Sequence, residues 1–203
     1  MLSMSSGRMI AVLIAFSLLS TIHESPVYSQ APNEPAKPAQ KPSFLRQGDS
    51  VGVFYVTKVA GADGDGVRPG EQLCYRCRYG SSPMVMVFAR QTGGRVTELV
   101  KRIDRAVFSN RKRRLKGLVT MMGDSAPAVK AAAGEFAAAA KVEHVPVVVA
   151  KEVKTGPLNY KLPADAEVTV VVAKDSQVVK THTFTSEKVD IAAVMSVVER
   201  ILE

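Results

Sequence analysis

Apolar residues along this chain fall into two rhythms. Short unbroken runs alternate with segments in which every third or fourth residue is apolar. The runs are Val51–Val59 (VGVFYVTKV), Pro83–Ala89 (PMVMVFA), Gly117–Met122 (GLVTMM), Val145–Ala150 (VPVVVA) and Glu167–Ala173 (EVTVVVA). They are rich in β-branched residues and bounded by turn signals such as GADGDG and Gly156-Pro157, which predicts strands. The 83–89 run has no polar alternation, so its strand is expected to be covered on both faces, as parallel sheets require. After Gly93-Gly94, the residues Val96, Leu99, Val100, Ile103, Val107 and Phe108 fall on one face of a helix. A second, Ala-rich helix is expected from Asp124 or Ser125 to about Lys141, with Pro127 in its first turn. Lys174-Asp175-Ser176 is a hairpin signal joining the 167–173 strand to Gln177–Phe184. The last helix buries Ile191, Val194, Met195, Val198, Ile201 and Leu202, with Ser186 as its expected cap.

The order is therefore strand, helix, strand, helix, strand, hairpin, helix. Early alternation implies parallel crossovers, and the late hairpin adds antiparallel strands at one edge. The expected fold class is α/β: three layers, with a mixed sheet and helices on both faces.

The N-terminus has a different character. Arg8 precedes an apolar run from Met9 to Leu19, and small residues follow, with Ser29 and Ala31 as candidate cleavage positions. Residues 1–29 thus read as an export signal whose apolar run, about a dozen residues, falls short of the roughly 20 a helix needs to span a bilayer, with an uncleaved N-terminal anchor as the alternative. Residues 30–43 (QAPNEPAKPAQKPS with its neighbours) hold four prolines and read as an extended linker. Residues 44–203 then form one domain, large enough for a single core. The expected location is secreted or periplasmic, in the cell envelope.

The formal charge of +8 concentrates in Arg111-Lys112-Arg113-Arg114-Leu115-Lys116. Such a run after a helix reads first as a solvated loop facing the negative helix end. Its second reading is contact with an anionic envelope component or a membrane periphery through Arg111, Lys112, Arg113 and Arg114. No nucleic-acid partner is expected, because no aromatics interleave with the cations.

The only two cysteines lie three apart, as Cys74-Tyr75-Arg76-Cys77. That spacing allows a redox-active disulfide, an inert bridge, or half of a metal site. As a loop staple it is weak: closing about four residues contributes about 2 kcal/mol against about 3 for 15 residues. Arg76 and Arg78 flank the pair and would favour a thiolate. A metal site lacks ligands, since His144 and His182 have no metal-motif spacing and residue 78 is Arg, not the His of a haem-attachment motif. Asp63-Gly64-Asp65-Gly66 reads as a tight turn, because the later ligands of a calcium loop are missing. No metal and no cofactor is expected.

The segments PMVMVFAR, VTELVKRID, GLVTMM and VTVVVAKDSQVVKTHTF together resemble the thioredoxin fold, in the variant found in peroxiredoxin-like proteins. The stretch LCYRCRYGSSPMVMVFAR is similar to exported thioredoxin-like proteins of planctomycete-type bacteria. The resemblance implies a reactive cysteine just after the first core strand, but this chain has Arg90-Gln91-Thr92-Gly93-Gly94 there. Peroxidase activity of the usual kind is therefore not expected. It also implies a cis-proline opposite the site; Ala166-Glu167-Val168-Thr169 has none, which leaves Pro146 as the candidate. By analogy with other C-x-x-C proteins, Cys74 would attack, Cys77 would resolve, and Arg76 and Arg78 would tune the pair. The partners would be protein thiols or disulfides. The alternative is a non-enzymatic cell-envelope binding module in which the Cys74–Cys77 bridge only clips a loop.

Overall fold

The structure is a computed structural model that describes residues 44–203; the expected export signal and the expected linker lie outside the described residues. Seven strands form one sheet in the order β2-β1-β5-β4-β3-β6-β7. They are β1 (Val56–Ala60), β2 (Gln72–Leu73), β3 (Met84–Ala89), β4 (Lys116–Met121), β5 (Val147–Ala150), β6 (Val168–Lys174) and β7 (Gln177–Phe184). Strands β3, β4 and β5 are parallel, while β6 runs antiparallel to β3, β7 to β6, and β1 to β5. This is the mixed sheet that the alternating and hairpin patterns predict.

All six residues of β3 are buried, as its unbroken apolar run requires. Val85, Val87 and Ala89 point to one face, where they meet α2 (Gly94–Ser109), α3 (Ala126–Ala140) and α4 (Ile191–Arg200). Met84, Met86 and Phe88 point to the other. There the covering layer is thinner than the sequence pattern suggests. It consists of the five-residue helix α1 (Tyr75–Tyr79), the coil from Leu45 to Tyr55, and a short 3-10 turn at Leu158–Tyr160. An aromatic triad seals it: the rings of Phe54, Phe88 and Tyr160 lie 5.0–5.7 Å apart between centroids.

Three local expectations are corrected. The first strand starts at Val56, not Val51, because the carbonyls of Gly52 and Val53 bond to the Tyr160 hydroxyl and the Asn159 amide instead of a neighbouring strand. Asp190, not Ser186, caps α4: its carboxylate accepts the Ala193 N–H at 2.9 Å. Ser186 instead donates both its N–H and its hydroxyl to Glu167, each at 2.7 Å. The third concerns Phe108, which is 50% exposed at the end of α2 despite its helical spacing with the core. The hairpin is as expected, and Asp175 and Ser176 at its tip both have positive φ (53° and 65°), the geometry of a two-residue turn that matches strand twist.

Candidate functional site

The chain reaches the cysteines along the edge of the sheet. Leu73 of β2 pairs with Val56 of β1, and the next residue, Cys74, stands at the N-terminal end of α1. Cys74 and Cys77 are joined in a disulfide, with their Cα atoms 5.2 Å apart. The Cys77 N–H donates to the Cys74 sulfur at 3.0 Å. Cys74 is only 7% exposed, whereas Cys77 lies open on the surface.

A polar network under the site fixes where α1 begins. Lys58 is fully buried, and its ammonium donates to the carbonyls of Ala62 (3.0 Å) and Val67 (2.8 Å) and to Asp65 Oδ1 (2.8 Å). The same Asp65 oxygen accepts the Val67 N–H, and Oδ2 accepts the Tyr75 hydroxyl at 2.5 Å. Burial pushes the Asp65 carboxyl up, but the hydrogen bonds from Lys58, Tyr75 and Val67, with the Lys58 charge, outweigh it and hold the group below its ordinary value. The Tyr75 hydroxyl moves the other way, raised first by burial and then by the hydrogen bond and charge of Asp65. The Asp-Gly-Asp-Gly stretch is thus a turn whose cation is a lysine ammonium. At the far end of α1 the Tyr79 hydroxyl donates to the Gly117 carbonyl at 2.8 Å, tying the helix to β4.

Both flanking arginines spend their guanidinium groups on backbone carbonyls. Arg76 donates to Val51 (3.0 Å) and Gly80 (3.4 Å), and Arg78 to Asp65 (2.7 Å). They pin α1 to the coil before β1 and to the 63–66 turn. Val53 and Tyr55 are exposed and line a depression with Lys151, Pro157 and Leu158.

Pro146 does not join this site. No peptide bond among the described residues is cis. Ala60 pairs with Val147, whereas Val56 pairs with Leu73, so Pro146 and Cys74 lie at opposite ends of β1. Four strand residues separate those ends by about 13 Å. Pro146 instead has its carbonyl in the parallel ladder, accepting from Val119 N at 3.0 Å. The order of attack expected from the sequence also meets an obstacle, because burial shields Cys74 and leaves Cys77 as the residue an external thiol reaches.

The place where the fold usually carries its reactive cysteine is intact but differently furnished. Strand β3 ends at Ala89 and α2 begins after Gly93, with Arg90, Gln91 and Thr92 between. A cavity of about 440 Å³ opens there, lined by Arg90, Gln91, Asp124 and Lys154 among others. Arg90 donates to the Lys154 carbonyl at 2.5 Å. No thiol lies within it.

Among the described residues, no three His, Cys, Asp or Glu side chains come together as a metal-holding group. His182 sits on β7, at the edge of the sheet opposite β2. His144 stacks on Phe108 with ring centroids 4.7 Å apart. Sequence reasoning missed the Lys58–Asp65–Tyr75 network. Its signal was present: Lys58 shares the alternation of Phe54 and Val56, which face the core, so a lysine there needs a buried partner.

No protein-family model matches the chain, and no curated protein is detectably similar to it in sequence. Solved structures are similar in shape. A Chlorobium tepidum protein assigned as the thiol:disulfide interchange protein DsbE superposes with a TM-score of 0.58 at 13% identity, over 78% of this chain and 99% of that one. AhpC of Mycobacterium tuberculosis gives 0.59 at 16% identity, over 79% of this chain and 100% of its own. An uncharacterised protein of Geobacillus kaustophilus gives 0.57 at 12%, covering 78% of this chain and 82% of that one. At such identities the likeness is one of architecture: the chain has the thioredoxin-like α/β fold in the arrangement shared with peroxiredoxins.

Proposed function

We propose that this protein is an exported thiol–disulfide exchange protein that works through the Cys74–Cys77 pair. The observation that carries the reading is the asymmetry of the bridge, with Cys77 open at the surface and Cys74 buried beneath it. A partner thiolate attacks the Cys77 sulfur, a partner–Cys77 bond forms, and the Cys74–Cys77 bond breaks. Cys74 leaves as a thiolate whose sulfur already accepts the Cys77 N–H. A second partner thiolate then attacks the partner sulfur of the mixed disulfide and expels Cys77. The partner gains a disulfide, and the pair takes up two electrons and two protons. The apolar run 9–19 supports export, and the location follows as the cell envelope.

A second reading has its own support. Cys74 is buried, no cis-proline faces it, and both arginines are tied to backbone, all of which suit a bridge that only clips α1 in a non-enzymatic envelope module. The reduction potential of the pair separates the two. A value of about −120 to −270 mV marks a working exchange centre, and one below about −300 mV marks a clip. In the exchange reading, Cys74→Ser leaves an accessible thiol that forms mixed disulfides at least about tenfold faster than the buried thiol left by Cys77→Ser. Equal trapping by the two variants would remove the asymmetry on which the reading depends.

A further inference from the structure

One end of the sheet, where β4 and β5 begin, gathers cations from four separate parts of the chain. Lys101 and Arg105 come from α2, Arg111 to Arg114 from the turn that follows, Lys116 from the start of β4, and Lys141 from the end of α3. All of these are exposed except Lys101 and Lys116, which are half-buried. The carboxylates nearby do little to cancel them. Asp104 is buried and gives one oxygen to the N–H groups of Glu143, His144 and Val145, at 2.8–3.2 Å. Asp65 is paired with Lys58, which leaves Glu143 and, in the 63–66 turn, Asp63 as the exposed ones against eight cations.

Phe108 stands in the middle of this surface. It lines both of the local depressions, of about 330 and 380 Å³, together with Glu143 and His144. Half its surface faces solvent although it belongs to an otherwise core-facing helix stripe. His144 stacks on its ring at 17° and the Arg111 guanidinium lies 4.7 Å from its centroid, so the ring is already engaged by protein groups. A nucleobase would have to displace them to stack there. What remains open is an apolar edge encircled by positive charge.

We propose that this end of the domain docks on an anionic lipid bilayer, with the cations over the head groups and the Phe108 edge inserted between them. The charges extend beyond the two shallow depressions, with Lys112, Arg113 and Arg114 in the lining of neither, which suits a plane of negative charge. An exposed aromatic ring beside cations is suited to the head-group boundary. The inference is independent of the cysteine chemistry.

The test is co-sedimentation of the full chain with phosphatidylcholine vesicles and with mixed phosphatidylcholine/phosphatidylglycerol vesicles. The neutral vesicles report any binding through the apolar run 9–19, which no variant here alters. Arg105, Lys112 and Arg113 hold no ion pair among the described residues, so R105Q/K112Q/R113Q keeps the fold's contacts. Each cation near an anionic surface is worth roughly fivefold in affinity, so the triple variant loses on the order of a hundredfold on mixed vesicles only. Phe108→Ser keeps every charge and weakens the same binding severalfold. Mixed-vesicle binding unchanged in the triple variant, equal wild-type affinity for both vesicles, or stronger binding to a single-stranded oligonucleotide would each overturn the proposal.

Discussion

Replacing Asp65 by Ala removes one carboxylate and strands three donors at once. Lys58 keeps the carbonyls of Ala62 and Val67 but loses its only anionic partner while itself fully buried. The Val67 N–H and the buried Tyr75 hydroxyl lose their acceptor. Breaking a buried pair from one side costs about 3–5 kcal/mol. Asp65 keeps 21% of its side-chain surface, and two carbonyls still receive the ammonium, so about 2–4 kcal/mol is expected. With a urea dependence of about 2 kcal/mol per M for a domain of this size, the midpoint falls by about 1–2 M. Asp65→Asn retains an oxygen for Lys58 and should lose about half as much. The pH dependence provides a second reading. The folded-state pKa of Asp65 lies below its unfolded value, so its contribution is fully present above pH 3.8 and is lost as pH falls through the folded value. Wild-type stability should therefore fall toward that of Asp65→Asn in strong acid, narrowing its gap to Asp65→Ala. A midpoint shift under about 0.3 M at neutral pH, or a constant gap between the two proteins across the acid range, would refute the reasoning.

Two further perturbations test the frame around the site. Asp104→Ala orphans three backbone N–H groups at the turn into β5 and should destabilise by about 2–4 kcal/mol in urea unfolding, whereas a surface carboxylate such as Glu98→Ala should change it by under about 0.5 kcal/mol. Gly61→Ala sets a Cβ 2.3 Å from the Val145 carbonyl at φ +74°, so its thermal midpoint should fall clearly below that of Gly48→Ala, where φ is +88° but the space is open. Equal midpoints would show that the backbone conformation, not the contact with Val145, sets the cost at Gly61.

The fold was legible where a run of residues had one environment along its whole length. Strand β3 is buried on both faces and reads as six apolar residues; the 174–177 turn reads as a hairpin because the polar Lys174, Asp175 and Ser176 separate two β-branched runs. The coil at 51–55 carries the same composition as a strand, but its carbonyls are claimed by Tyr160 and Asn159, residues about a hundred positions away. No local pattern encodes that competition. The site was legible as a spacing and no further. Which cysteine faces solvent depends on α1 being held by Tyr75 from one side and Tyr79 from another, and neither acceptor, Asp65 nor Gly117, is marked by the Cys-x-x-Cys motif. Pro146 precedes a strand, as the fold's cis-proline does, but which end of β1 it meets follows from strand register, which a single sequence does not show.

The coil that covers the second face also determines how the domain bears a pull. A pull applied at Phe44 enters the fold at Leu45. There it meets β7 first: Thr181 donates to the Leu45 carbonyl at 2.7 Å, Gly48 and Asp49 exchange bonds with Val178 at 2.8 Å, and Val51 bonds the Ser176 carbonyl at 2.9 Å. These bonds lie in series before the aromatic seal at Phe54 and before β1, and β7 is at the edge of the sheet opposite β2. A moderate load would peel residues 45–49 from β7 before it reaches Val51, whose carbonyl Arg76 holds. The β7 edge therefore acts as a mechanical fuse that yields before the load reaches the coil tied to α1.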